Sequence, residues 1–348
     1  MINNNLFSKL PSLKLLLMKG RTFIALIVLL IVFSIMAPNF FTITSFILVA
    51  KHVALYAILG IGMTAVIVSG GIDLSVGSIV GLCGIIAGGL ILNGLTLKIF
   101  GVVIYFSVPI VMLLAVLVGV LVGALNGVLI SYILVPPFIT TLGTMYIARG
   151  LAMIYSGGET YANLVGKAML GNTGFPLLGS MRIAGLPLAV WIMLIIAGIV
   201  IFIFKKQPLG WHIFAVGGNE KSSELSGVKT KQVKLFVYIL SGFCAAITGL
   251  IITAQLSSAH PNTGQTWEMN AIAASVLGGT SMSGGIGTIG GTIIGAFVIG
   301  VLNDGMVMLG VSEFWQMVIK GLVIIVAVIV DQFQRNMEAT LALKTRNN

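Results

Sequence analysis

Residues 101–132 read GVVIYFSVPIVMLLAVLVGVLVGALNGVLISY, thirty-two positions without Asp, Glu, Lys, Arg or His. An apolar run of about 10–14 residues suits a buried core helix, whereas about 20 cross the ~30 Å hydrocarbon core of a bilayer. This run exceeds even that, so the span it holds is tilted or continues past the membrane. Comparable runs lie on both sides of it. Together they give ten candidate spans, near 22–37, 46–69, 73–92, 101–132, 136–155, 186–204, 235–255, 269–284, 288–309 and 315–331. The eighth is short and reads as a half-helix or re-entrant segment. The runs are continuous rather than ten-residue alternating segments, which selects helices over a barrel. Of 348 residues 58% are hydrophobic and only 8% charged, leaving no room for a sizeable soluble domain. The expected fold is an all-α polytopic membrane protein of about ten transmembrane helices.

The net charge of +10 invites a nucleic-acid reading, but its placement argues otherwise. Lys9, Lys14, Lys19 and Arg21 precede the first span. Lys205, Lys206, Lys221, Lys229, Lys231 and Lys234 crowd one loop, and Arg335, Lys344 and Arg346 lie on the tail. Thirteen of nineteen basic residues thus flank apolar spans, as cytoplasmic anchors do under the positive-inside rule. An even number of spans puts both termini on one side. The expectation is a cytoplasmic arm 1–21, a transmembrane domain 22–331 and a cytoplasmic tail 332–348. Loop 205–234 then falls inside, with 156–185 and 256–268 as external loops. The site is a multi-pass location in the cytoplasmic membrane, with lipid as a partner and no nucleic acid. SIMAPNFF at 34–41 has a proline where a cleavage site needs small residues, so the first span is read as retained.

Catalytic readings fail one by one. Gly285, Gly287 and Gly290 fit a dinucleotide-binding pattern, but no βαβ unit surrounds them. The phosphate-cradling motif of P-loop ATPases is absent, so any ATP is used by a separate subunit. His52, His212 and His260 lie in three different regions with no ligand spacing. Cys83 and Cys244 read as small core residues. No catalytic residue, metal or cofactor is expected.

Other residues carry more. Gly119, Gly123 and Gly127, and again Gly287, Gly291 and Gly295, repeat every fourth position, a spacing that lets helices approach closely in lipid. Gly70-Gly71-x3-Ser75-x-Gly77 is echoed by Gly278-Gly279-x3-Ser283-x-Gly285. In transporters, breaks at matching positions of two halves point to the pathway. Asp73, Ser75, Thr280 and Ser283 are therefore candidates to line it. Asp73 alternatively holds a loop by accepting backbone N–H bonds. Arg149, Asp304 and Lys320 are further ionisable groups in or beside the spans, where charge is expensive. Asp304 is expected to reach water, and Arg149 and Lys320 to snorkel or pair.

The longest polar run, GNEKSSELSGVKTKQVK at 218–234, interrupts two very apolar segments. Asn219 is suited to cap a helix, Glu220 to its first turn and Gly227 to its end. The result is a short helix of roughly 10 Å, either an amphipathic linker resting on the membrane or a docking element for a partner.

APNFFT at 37–42, GIGMTAVIVSGGIDLSVGS at 60–78, PFITTLGTMYIARG at 137–150, GGNEKSSELSGVKTKQVKLFVYILSG at 217–242, AIAASVLGGTSMSGGIGTIGGTIIGA at 271–296 and WQMVIKG at 315–321 together resemble the permease subunit of bacterial ABC importers for monosaccharides, of the ribose, xylose, arabinose and galactose type. The resemblance covers about residues 22–331. It implies a second permease copy or paralogue, a cytoplasmic ATP-binding subunit and a periplasmic sugar-binding protein as partners. It implies that Gly218, Asn219, Glu220, Glu224, Leu225, Ser226 and Gly227 form the coupling helix to the ATPase. It makes ribose the first expectation, while PFITTLGTM also resembles galactoside permeases. From the residues alone, a proton-coupled carrier using Asp73 and Asp304 stays open as the alternative.

Overall fold

A computed structural model describes residues 21–97, 99–326 and 328–329. Residues 1–20 of the expected arm 1–21 and the whole of the tail 332–348 lie outside the described residues. The chain runs through α1 (Arg21–Met36), α2 (Ile43–Val68), α3 (Val76–Leu92), α4 (Val108–Ser131), α5 (Pro137–Ser156), α6 (Leu188–Lys206), α7 (Pro208–Gly218), α8 (Glu220–Leu225), α9 (Thr230–Leu256), α10 (Trp267–Leu277) and α11 (Ile289–Met308). A final helix, α12, covers residues 313–326. Among the described residues five helices, α2, α4, α6, α9 and α11, are long and apolar enough to cross a membrane; α1 and α3 are shorter apolar helices. The protein is a helical membrane protein.

α2 and α3 form the centre. Residues 53–68 of α2 are buried without interruption, and α3 is buried along nearly its whole length. α9 packs against α4, α2 and α3, while α11 packs against α2, α10 and α1. The outer helices bury one stripe and expose an apolar one, as lipid-facing helices do. On α4 the buried stripe is Val111, Ala115, Gly119, Gly123 and Gly127. Leu113, Leu117, Leu121 and Leu125 form the exposed stripe at the same spacing.

The small stripe has a clear use. A methyl group at Gly119 would meet Ala246 Cβ at 2.6 Å and Gly242 O at 2.8 Å, and one at Gly127 would meet Leu235 Cα at 2.9 Å. α4 therefore lies backbone-close to α9, and van der Waals contact does the work that the hydrophobic effect does in water. Gly291 and Gly295 meet Gly278 and Ala274 in the same way, pressing α11 onto α10. Gly287 lies before α11, in the loop, against Val68 and Thr280.

One departure from the sequence reading has a simple cause, and one open alternative is decided. The run 101–132 is not one long span: Val102–Ile104 pairs antiparallel with Leu95–Leu97, and the helix starts only after Ser107, with Pro109 in its first turn. Apolar composition hid a hairpin. The eighth segment forms only the 11-residue α10, about 16 Å long, half the depth of a bilayer. It is the half-helix alternative. Its inner side is tied down by hydroxyls: Thr64 Oγ1 donates to Ser275 Oγ at 3.0 Å, and Ser275 Oγ donates to Ala271 O at 2.9 Å.

The two expected external loops are stitched together, since Tyr161–Ala162 pairs antiparallel with Ser258–Ala259. The second of them also turns into the molecule. Arg149 of α5 donates to the carbonyls of Pro261 and Thr263 and, at 3.3 Å, to Gly77 O. Arg149 thus clamps this loop onto the start of α3 rather than snorkelling.

Candidate functional site

Asp73 is fully buried in the break between α2 and α3. One carboxyl oxygen accepts from Ser75 N at 2.9 Å and Ser75 Oγ at 2.6 Å, and the other accepts from Ser241 Oγ of α9 at 2.7 Å. Asn126 Nδ2 of α4 donates to Ser75 Oγ at 2.9 Å, and Thr144 Oγ1 of α5 donates to Asn126 Oδ1 at 2.7 Å. The carboxyl group therefore anchors a chain of side chains that joins α3, α4, α5 and α9. Buried polar groups this well connected hold elements in one arrangement. Of the two readings of Asp73, the geometry matches the loop-holding one, extended across four helices. Asp73 and Ser75 belong to this knot.

Thr280 and Ser283 lie on the loop between α10 and α11. Thr280 Oγ1 is buried without a hydrogen-bond partner among the described residues. Ser283 is exposed and its N–H bonds Ser281 Oγ at 3.2 Å. The two glycine breaks have the same backbone but not the register read from sequence. α2 ends with Gly70 at φ +88°, with bonds from Gly70 N to Ile67 O and Gly71 N to Val66 O. α10 ends with Gly279 at φ +87°, with bonds from Gly279 N to Val276 O and Thr280 N to Ser275 O. Gly70 thus corresponds to Gly279, one residue later than the sequence alignment of the motifs. The left-handed residue, which strongly favours glycine, sets the match.

Both breaks meet at one point, the end of α7. Gly285 N donates to Val68 O at 2.8 Å. A methyl group at Gly217 would overlap that carbonyl and lie 2.7 Å from Gly285 N. Three backbones are in direct contact there, immediately before the polar run.

The polar run itself forms α8, six residues long. Asn219 Oδ1 accepts from Ser222 N at 2.9 Å at its start. At its end Ser226 is the cap residue, Gly227 has φ +86°, Gly227 N bonds Glu224 O at 2.9 Å and Val228 N bonds Ser223 O at 3.0 Å. That pair of bonds is the Schellman closure. Gly218 ends α7, and Glu220 pairs with Lys234 at 2.6 Å. Glu224, Leu225 and Ser226 face outward, with Leu225 83% exposed. The helix is rigid at both ends and presents an apolar tip.

Some pairings were invisible to sequence reasoning. Asp304 does not reach water: it is buried, and His52 Nδ1 lies 2.8 Å from its carboxylate, fastening α2 to α11. Lys320 Nζ donates to Asn303 Oδ1 at 3.1 Å, so it pairs rather than snorkels. The partners are 252 and 17 residues apart; the first separation leaves no local trace. Cys83 and Cys244 are both free and buried.

A family model described as branched-chain amino acid transport system / permease component matches residues 45–328. The chain belongs to that permease family. The ribose import permease of Haemophilus influenzae is 40% identical over 318 residues, 91% of this chain and 94% of its own length. The corresponding protein of Bacillus subtilis is 41% identical over 310 residues, 89% and 91% of the two chains. The galactose/methyl galactoside import permease of Salmonella typhimurium is 33% identical over 332 residues, 91% and 95%. No solved structure matches the chain. The permease is a multi-pass protein of the inner membrane and a transport component of an ABC import system, which implies an ATP-binding subunit and a substrate-binding protein as partners.

Proposed function

We propose that this permease carries a monosaccharide, a ribose-like pentose or a hexose, inward through the membrane, driven by ATP hydrolysed on a separate subunit. The observation that carries the reading is the match to ribose import permeases at about two residues in five along nine-tenths of both chains. A periplasmic binding protein delivers the sugar to the face holding loops 156–185 and 256–268. Both termini and loop 205–234 face the cytoplasm, following the placement of the basic residues, and ten segments connect the two sides, the half-helix α10 doing so together with the loop that follows it.

In this reading Gly218–Gly227 is the coupling helix. α8 is capped at both ends, exposed, and joined through α7 to the breaks after α2 and α10. It seats in a cleft of the ATP-binding subunit, and movement of that subunit reaches the spans through it. Two permease copies, or one with a paralogue, enclose the path. The permease holds the sugar weakly, since tight binding in transit would arrest the cycle.

The test is ATP hydrolysis and uptake by the complex reconstituted in lipid, with and without candidate sugar-binding proteins. Stimulation by one sugar-loaded binding protein supports the import cycle and names the sugar. Uptake that ignores ATP and collapses with a proton uncoupler would replace it with the proton-coupled carrier.

A further inference from the structure

We infer that the sugar passes through a cavity walled by α2, the start of α10, α11 and α12, rather than past Asp73. The inference rests on the monosaccharide reading above and adds where the sugar is met. The cavity has a volume of about 760 Å³, within the range of about 300–1,000 Å³ usual for small-molecule sites.

Its chemistry sets it apart in so apolar a protein. Two other hollows among the described residues are walled almost wholly by aliphatic and aromatic side chains, as lipid-facing grooves are. This one gathers Tyr56, Trp267, Asn270, Asn303, Gln316 and Lys320. With Gln265 the wall has four amides, Glu313 stands on it with Lys320, and Asn270 and Gln316 are more than nine-tenths buried. Amides carry both donors and acceptors, which is what a ring of hydroxyls requires. Tyr56 and Trp267 stand edge to face at 5.7 Å between centroids, offering aromatic surface to the C–H face of a pyranose or furanose. A neutral polyol uses both kinds of surface; a lipid chain uses neither the amides nor Lys320.

The wall is also fixed in place. Asn303 Nδ2 reaches the Tyr56 hydroxyl at 3.5 Å, and Lys320 holds Asn303 Oδ1. One turn from Tyr56, His52 grips Asp304, the neighbour of Asn303 in sequence. Gln316 Nε2 is held by Val311 O at 2.8 Å. The cavity is partly open, and Met317 on its wall is half exposed. An open, preformed wall with several weak partners suits passage rather than retention. The Asp73 carboxyl, by contrast, is fully buried and already bonded.

The test uses the full complex in proteoliposomes, with labelled ribose and labelled galactose as probes. Because Cys83 and Cys244 are both wholly buried, Met317→Cys provides a reporter thiol in the native background. The charged reagent methanethiosulfonate ethylsulfonate is expected to modify it and to reduce uptake at least tenfold, with modification slowed by the transported sugar. Trp267→Leu is expected to lower uptake about tenfold while sugar-loaded binding protein still stimulates ATP hydrolysis, and Trp267→Phe to restore most of it. If wild type transports sugar but the thiol is inert to the charged reagent, the cavity is filled by lipid and the inference fails while the import reading stands. Normal uptake by Trp267→Leu has the same meaning. If wild type takes up neither sugar with ATP, the import reading falls and takes this site with it.

Discussion

At the scale of single residues, the informative group is Asp73. Its three donors come from Ser75 and Ser241, so removal of the carboxyl leaves two hydroxyls and an N–H unsatisfied in a dry interior. Each such group costs about 1–3 kcal/mol. Asp73→Ala is expected to lower the melting temperature of the detergent-purified permease by many degrees. Ser241→Ala, which removes one donor, should cost about 1 kcal/mol and shift it less. Loss of uptake by Asp73→Ala with an unchanged melting temperature would instead make Asp73 part of the path. Sequence marked this residue as unusual, because a carboxylate beside glycines in an apolar run is costly. It could not say which role the residue has. That depends on Asn126, Thr144 and Ser241, each unremarkable in its own segment and brought together only by packing. The same holds for Tyr56 and Asn303: single polar residues in separate spans give no local sign of a shared cavity.

At the scale of elements, α8 was legible because its cap, first-turn charge and terminal glycine are local. All three lie within ten residues. The spans were legible for a similar reason, since length and apolarity are local properties. Their ends were less so: α9 begins at Thr230 rather than near residue 235, because Lys231 and Lys234 are accommodated in its first turns. The hairpin at 95–104 was missed because a short apolar strand and a helix turn share the same composition. Two expectations belong to α8. Asn219→Ala removes its cap and should cost about 1 kcal/mol of local stability, read as faster amide exchange over 220–226. Leu225→Asp changes a side chain that contacts little of the permease itself. It should leave the melting temperature as it is and abolish co-purification of the ATP-binding subunit. Retained co-purification would remove the docking role.

For the whole molecule, the proposed arrangement of sides rests on charge placement and is open to direct labelling. Met169 is fully exposed in the 156–185 loop and Leu225 lies at the tip of α8. With the native thiols buried, Met169→Cys should react with an impermeant maleimide in spheroplasts, and Leu225→Cys only after the membrane is opened. Reaction of both in sealed spheroplasts would refute the proposed orientation. Packing across the molecule leads to a further expectation: Gly123→Leu should prevent α4 from seating on Tyr238 of α9 and strongly reduce folded yield. The junction at Gly217 has a mechanical meaning of its own. Contacts between side chains have slack, because rotamers turn before a helix has to move. At Gly217 no side chain intervenes, and α7 rests on the main chain of both glycine breaks. Such a joint is stiff. A displacement at α8 of even a fraction of an ångström would be divided between the two glycine breaks in step, so neither could move without the other.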